Sequence, residues 1–221
     1  MKLNMFYESR ESTDQFLRLG DVVEGYVSPS TKIIEPFLSF ERKIYHKYHI
    51  DIEVPNYSVV LTPCCSIEDH MISLTPLIQL RSDFLRNKYY TEDFTRINRL
   101  ITPKLAFPPD EWEKMSTDDK LEIESRESNY ALYNIFVYAP NELFSPYELR
   151  RQEIKHYMID FRNIQTLKCD LIKTKEQREK SGKEELPILK SKRLQLSDSI
   201  RKELREKLSY YFWRSNDVNT E

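Results

Sequence analysis

Tyr57-Ser58-Val59-Val60-Leu61-Thr62-Pro63-Cys64-Cys65-Ser66 is the stretch on which the fold turns. Residues 57 to 62 pack β-branched and apolar side chains together, the composition of a buried strand, and Pro63 stops that strand and forces a turn. Beyond the turn, Met71-Ile72-Ser73-Leu74-Thr75-Pro76-Leu77-Ile78 alternates apolar and polar residues, which makes a hairpin partner. On the upstream side, Gly20-Asp21-Val22-Val23-Glu24-Gly25 is a short β-branched run entered and left through glycine turns. Tyr130 to Tyr138, Tyr157 to Phe161 and Leu167 to Ile172 have strand composition as well. Ser28-Pro29-Ser30-Thr31 reads as loop chemistry, and Phe37 to Ile52 mixes its periods too much to assign.

Helical spacing appears where the strand pattern stops. Tyr90, Phe94, Ile97 and Ile101 line one face of a helix over 83–101 that Pro103 ends. Pro108-Pro109-Asp110 opens another helix, and Ser116-Thr117-Asp118-Asp119 caps a third ahead of Leu121 and Ile123. Near the C-terminus Ile200, Leu204, Leu208 and Tyr211 repeat at helical spacing behind Ser197, while Arg201, Lys202 and Glu203 face away. Four such side chains, at about 1.5 to 3 kcal/mol each, oblige this helix to dock. The expectation is one α+β domain over 1–221. Strands come from 16–80 and 130–172, a helical insertion spans 83–128, a charged loop 173–185, and an amphipathic helix 197–213.

Composition narrows the function classes. With 221 residues, 39% hydrophobic and 32% charged, the chain can bury about 70% of its surface and lies far from a disordered composition. Lys and Arg total 34 against 36 Asp and Glu, so no global field draws the molecule to nucleic acid or an anionic membrane; RNA or DNA contact would need a local patch. The first eight residues lack the apolar core of a leader and no window is apolar enough to span a bilayer, so the expected setting is cytoplasmic, without membrane. Three cysteines, two of them adjacent, form no disulfide framework. Three glycines leave no phosphate-cradling loop, and no cofactor is implied.

Three constellations could carry chemistry. At the Thr62 to Ser66 corner, Cys64 or Cys65 could act as a nucleophile with His70 in reach, or pack as small buried hydrophobes. His46, His49, Cys64, Cys65 and His70 offer soft ligands, but adjacent cysteines point poorly toward one ion, so no metal site is assigned. Arg81, Arg86, Lys88, Arg96, Arg99 and Lys104 interleave with Phe84, Tyr89, Tyr90 and Phe94, cations for phosphate and rings for bases; Asp83, Glu92 and Asp93 in the same stretch favour a solvated helix face instead. The binding candidates are Thr62, Cys65, Arg81, Arg86, Tyr89 and Tyr90.

The Gly20-Asp21-Val22-Val23 and Val59-Val60-Leu61-Thr62 strands with Leu74-Thr75-Pro76-Leu77 resemble the layout of PemK/MazF-like toxins. The resemblance implies a small SH3-like antiparallel β-barrel decorated with helices, and RNA cleavage at the barrel mouth. Tyr57-Ser58 stands where those toxins carry Arg-Pro, so Thr62 alone carries over. A wider likeness, to small bacterial proteins of antiphage and mobile-element loci, rests on Gly20-Asp21-Val22, on Thr62-Pro63-Cys64-Cys65 with Ser66 in place of an aspartate, and on Arg201, Leu204, Leu208, Phe212 and Arg214. It implies a non-enzymatic accessory or interaction subunit of a defence assembly that binds a protein partner. The alternative is an endoribonuclease in which Asp21, Thr62 and His70 surround the scissile phosphate.

Overall fold

A computed structural model describes residues 5–8, 17–26, 28–38, 44–62, 71–168 and 191–217. The expected strand core is present as a six-stranded, fully antiparallel sheet. Its strands are β1 (Tyr7–Glu8), β2 (Val22–Val23), β5 (Ser58–Val60), β6 (Met71–Pro76), β12 (Gln165–Lys168) and β13 (Lys192–Leu196), in the order β1-β13-β2-β5-β6-β12. Strands β7 (Ile78–Gln79), β8 (Ile135–Tyr138) and β11 (Tyr157–Asp160) form a second sheet in the order β7-β11-β8. The two sheets share one ribbon. β6 runs through Leu77 into β7, and their partners β12 and β11 are likewise consecutive, so the pair bends from one sheet into the other.

Side-chain alternation explains why these strands read as unbroken apolar runs: both faces are covered. Val59 and Leu61 point into a cluster with Val22, Phe136, Tyr138 and Ile159, whereas Val60 joins Val23, Ile72 and Leu74 on the opposite face. β8 divides the same way. Phe136 and Tyr138 enter the first cluster, while Ile135 and Val137 meet Tyr90, Phe94, Ile97 and Ile101 in a third. The C-terminal helix α4 (Asp198–Asp217) closes the first cluster with Ile200 and Leu204, as its stripe predicts, and Leu208 and Tyr211 pack against the rim. Gly20 makes this approach possible. Its φ of 86° suits glycine, and a Cβ there would lie 2.4 Å from Leu196 Cδ1 and 3.0 Å from Leu204 Cδ2.

Several expectations change. The architecture is α+β with antiparallel sheets, and no sheet closes on itself among the described residues: β1 and β12 are the ends of the six-stranded one, so the SH3-like barrel expected is not confirmed. The single helix over 83–101 is broken into a 3₁₀ turn Ser82–Arg86, α1 (Lys88–Glu92) and a 3₁₀ turn Phe94–Asn98. The breaks have a local cause: Asn87 Oδ1 accepts from Tyr89 N, and Asp93 Oδ1 from Thr95 N, each restarting the chain as a cap. All four stripe residues nevertheless reach one core cluster. Asn98, only 1% exposed, donates to Val137 O and accepts from Val137 N, both at 2.7 Å, and so pairs the outer edge of β8 as a strand would.

Residues 28–31, read as loop, and the described residues of 37–52, a stretch left unassigned, belong to β3 (Ser28–Leu38) and β4 (Ile44–Glu53), which pair only with each other among the described residues. Pro29 and Pro36 hide this ribbon from pattern reading. They are tolerated because a two-stranded ribbon has outer edges where a missing N–H costs no ladder bond. Two further strands, β9 (Tyr147–Leu149) and β10 (Gln152–Ile154), form a small hairpin. The helices expected after Pro108 and at Ser116 are α2 (Pro109–Lys114) and α3 (Thr117–Glu124), and Ser116 Oγ accepts from Asp119 N as a cap. The charged segment 173–185 lies outside the described residues. No described helix is long and apolar enough to cross a membrane.

Candidate functional site

Asp21 precedes β2, and its backbone carbonyl accepts from Val60 N at 2.9 Å, which puts the Thr62 corner on the adjacent strand. Both side chains are engaged in the fold. Asp21 is wholly buried, its Oδ2 held by Arg18 N at 2.7 Å and by the equally buried Lys192 Nζ at 2.8 Å. Lys192 also donates to Gln195 Oε1, Gln195 Nε2 to Glu8 Oε1, and Arg201 meets Glu8 at 2.8 Å and Asp198 at 2.6 Å. Arg201, expected to face away, is therefore a buried member of this chain of charges, because Glu8 on β1 lies across from it. Burial pushes the Asp21 carboxyl up to about 6 against the opposing pull of Lys192, and its buried Oδ1 has no hydrogen-bond partner among the described residues.

Thr62 Oγ1 accepts from Ser73 N at 2.6 Å, tying the end of β5 to β6. Cys64, Cys65 and His70 lie outside the described residues, and so does Cys169. His46 and His49 fall on β4, opposite Pro36 and Lys32. Among the described residues no group of three His, Cys, Asp or Glu side chains is placed to hold a metal ion.

The basic and aromatic stretch separates into core and surface. Tyr90, 5% exposed, packs in the core with Phe84 and Phe94, and burial pushes its phenol up to about 12; it is not a surface contact. Arg81 stands 5.6 Å over the Phe84 ring, and Arg86 is exposed beside Asp83. Tyr89, of the four candidates from this stretch, lines a groove. That groove lies between α1, the 3₁₀ turn Pro103–Ala106, α2 and α3, and encloses about 560 Å³ lined by Tyr89, Phe107, Trp112, Lys88, Lys104 and Lys120 among others. Asn87 fixes its two walls: its Oδ1 caps α1 while its Nδ2 donates to Ala106 O at 3.1 Å.

Sequence reading did not pick out Phe107, Trp112 or Lys120. A tryptophan amid Asp110, Glu111 and Glu113 was the available signal, since a ring in so polar a helix must bury against something. A second aromatic feature is the end of α4, where sequence reading singles out Tyr211, Phe212 and Arg214 but not Tyr210 or Trp213. Tyr133 stacks on Tyr211 with centroids 6.0 Å apart, Arg214 stands 5.0 Å over Tyr133, and Tyr210 lies between Tyr130 and Trp213. Trp213 is 63% and Phe212 51% exposed.

Comparison with known families, curated proteins and solved structures finds no match to this chain.

Proposed function

We propose that this protein is a non-enzymatic interaction subunit that docks a protein partner through the aromatic end of α4, in the antiphage-defence setting that its sequence resemblance implies. One observation carries the reading: Tyr210, Tyr211, Phe212, Trp213 and Arg214 follow one another at the end of a firmly docked helix, with Trp213 the most exposed ring among them and Phe212 half exposed beside it. Trp, Tyr and Arg dominate binding hot spots, the rings because they bury large area at low conformational cost and Arg because its planar fork pairs and stacks, and stacking on Tyr133 preorganises Tyr211 and Arg214. A partner of matching chemistry offers an apolar pocket with a carboxylate rim for Arg214.

The test is capture of the tagged chain from its native host beside a Phe212→Ala/Trp213→Ala variant. A stoichiometric companion held by the parent and lost by the variant is expected; no companion, or equal retention, overturns the reading. The RNA-cutting alternative, with its barrel mouth, asks Asp21 and Thr62 to leave the hydrogen bonds described above. Growth arrest on induction that Thr62→Ala relieves would favour it.

A further inference from the structure

The groove between α1 and α2 is chemically unlike the aromatic end of α4. Its wall is aromatic: Phe107 lies 6.2 Å from Trp112, and Tyr89 faces the same space. Its rim is cationic. Lys104 Nζ stands 5.6 Å from the Trp112 ring centre, Lys120 Nζ donates to Glu113 O at 3.3 Å, and Lys88 is exposed at the first position of α1. Of the two carboxylates in the lining, Glu92 is already paired with Arg96 at 2.7 Å, and that guanidinium lies 4.5 Å from the Tyr89 ring centre. The lining is therefore net positive around flat apolar surface. Three ammonium groups outnumber Glu92 and Glu113, and Arg96 already takes Glu92, so a cation is disfavoured and a purely apolar ligand would leave the excess positive charge unmatched. A planar ring system bearing phosphate satisfies both halves, and the enclosed volume lies in the range of small-molecule sites.

We propose that this groove binds a nucleoside phosphate, its base against Tyr89, Phe107 and Trp112 and its phosphate on Lys88 and Lys104. The ligand can be a free nucleotide or one residue of a single strand, since both present the same base and phosphate. Asn87 is the positioning residue: by capping α1 and holding Ala106 O it sets Lys88 and Tyr89 opposite Lys104 and Phe107. The site is independent of the partner surface proposed for α4, so either reading can fail alone.

Trp112 and Trp213 are the two tryptophans of the chain, so Trp213→Phe makes Trp112 emission a private reporter of the groove. The W213F protein is titrated separately with ADP, with an eight-residue oligoadenylate and with sodium pyrophosphate. Saturable quenching by ADP identifies the free nucleotide as a source, and quenching by the oligomer alone identifies the strand; either supports the site. In the same background, Lys88→Glu/Lys104→Glu, at two exposed positions, should weaken binding by about a hundredfold, with a melting curve recorded beside it to show that the variant is folded. No saturable change with ADP or oligomer up to about 5 mM nucleotide overturns the proposal. Affinity unaltered by the charge reversal overturns it too, as does pyrophosphate binding as tightly as ADP, which would leave the rings without a role.

Discussion

Lys192→Met should destabilise this protein in a manner that depends on pH. The Lys192 ammonium and the Asp21 carboxylate are 2.8 Å apart with neither side chain exposed, so deleting the cation leaves a buried carboxylate whose other oxygen already lacks a partner among the described residues. Removing one member of such a pair costs about 3 to 5 kcal/mol. Asp21 is pushed up from 3.8 to about 6 in the fold, which corresponds to about 3 kcal/mol favouring the protonated acid. Because the folded value is the raised one, that contribution is complete below 3.8 and is lost as pH climbs through about 6. Without Lys192, whose charge and hydrogen bond pull the carboxyl down, the group rises further and is protonated in the fold at mild acidity. The loss in Lys192→Met should therefore be about 3 to 5 kcal/mol near pH 8 and shrink to about 1 to 2 kcal/mol near pH 5, where a neutral acid needs no counter-ion. Asp21→Asn/Lys192→Met, which buries no charge, should recover most of the loss at pH 8. Urea unfolding midpoints at both pH values measure this. An equal loss at pH 5 and pH 8, or a double variant no better than the single one at pH 8, refutes the reasoning.

Two further outcomes follow from buried features. Lys207 is fully buried, donates to Ile97 O and lies 5.1 Å from the Tyr130 ring centre; burial holds its ammonium well below the ordinary 10.5. The unfolded chain then binds the extra proton, so stability should climb with pH up to about 10.5, and Lys207→Met should abolish that slope in urea midpoints; an unchanged slope would refute the claim. Gly20→Ala should cost about 2 to 4 kcal/mol, because the added carbon meets Leu196 and Leu204 at a positive φ. Gly25→Ala, at a similar φ of 84° with nothing within 4 Å, should cost only about 1 kcal/mol, and equal losses in thermal melts would show that the helix contact is not what demands glycine at position 20.

Much of the strand and helix core was legible, because apolar periodicity reports which faces must leave water. Val59, Val60 and Leu61 form a run since alternate residues enter two different clusters, and the Ile200 and Leu204 stripe needs a core wherever it docks. Legibility failed where a side chain's partner was remote or a local hydrogen bond overrode periodicity. Arg201 reads as an outward-facing helix residue until Glu8, 193 positions away, is brought beside it. Asn87 and Asp93 cut the 83–101 stripe into three pieces while its apolar residues still reach one cluster. Tyr90 stands both on the apolar stripe and among the binding candidates; the core takes it, as its spacing with Phe94, Ile97 and Ile101 requires.

What the amino-acid order determined alone is the inventory of faces: where strands run, which helix must dock, and where proline and glycine force turns. Those are properties of neighbours within a few residues, governed by backbone geometry and apolar period. Only the tertiary structure decided the open sheet order, the burial of Asp21 with Lys192 and of Lys207, and the meeting of Lys88 and Tyr89 with Phe107 and Trp112. Each of these joins residues far apart along the chain, and charges or rings so separated carry no mark of one another until packing fixes the distance between them.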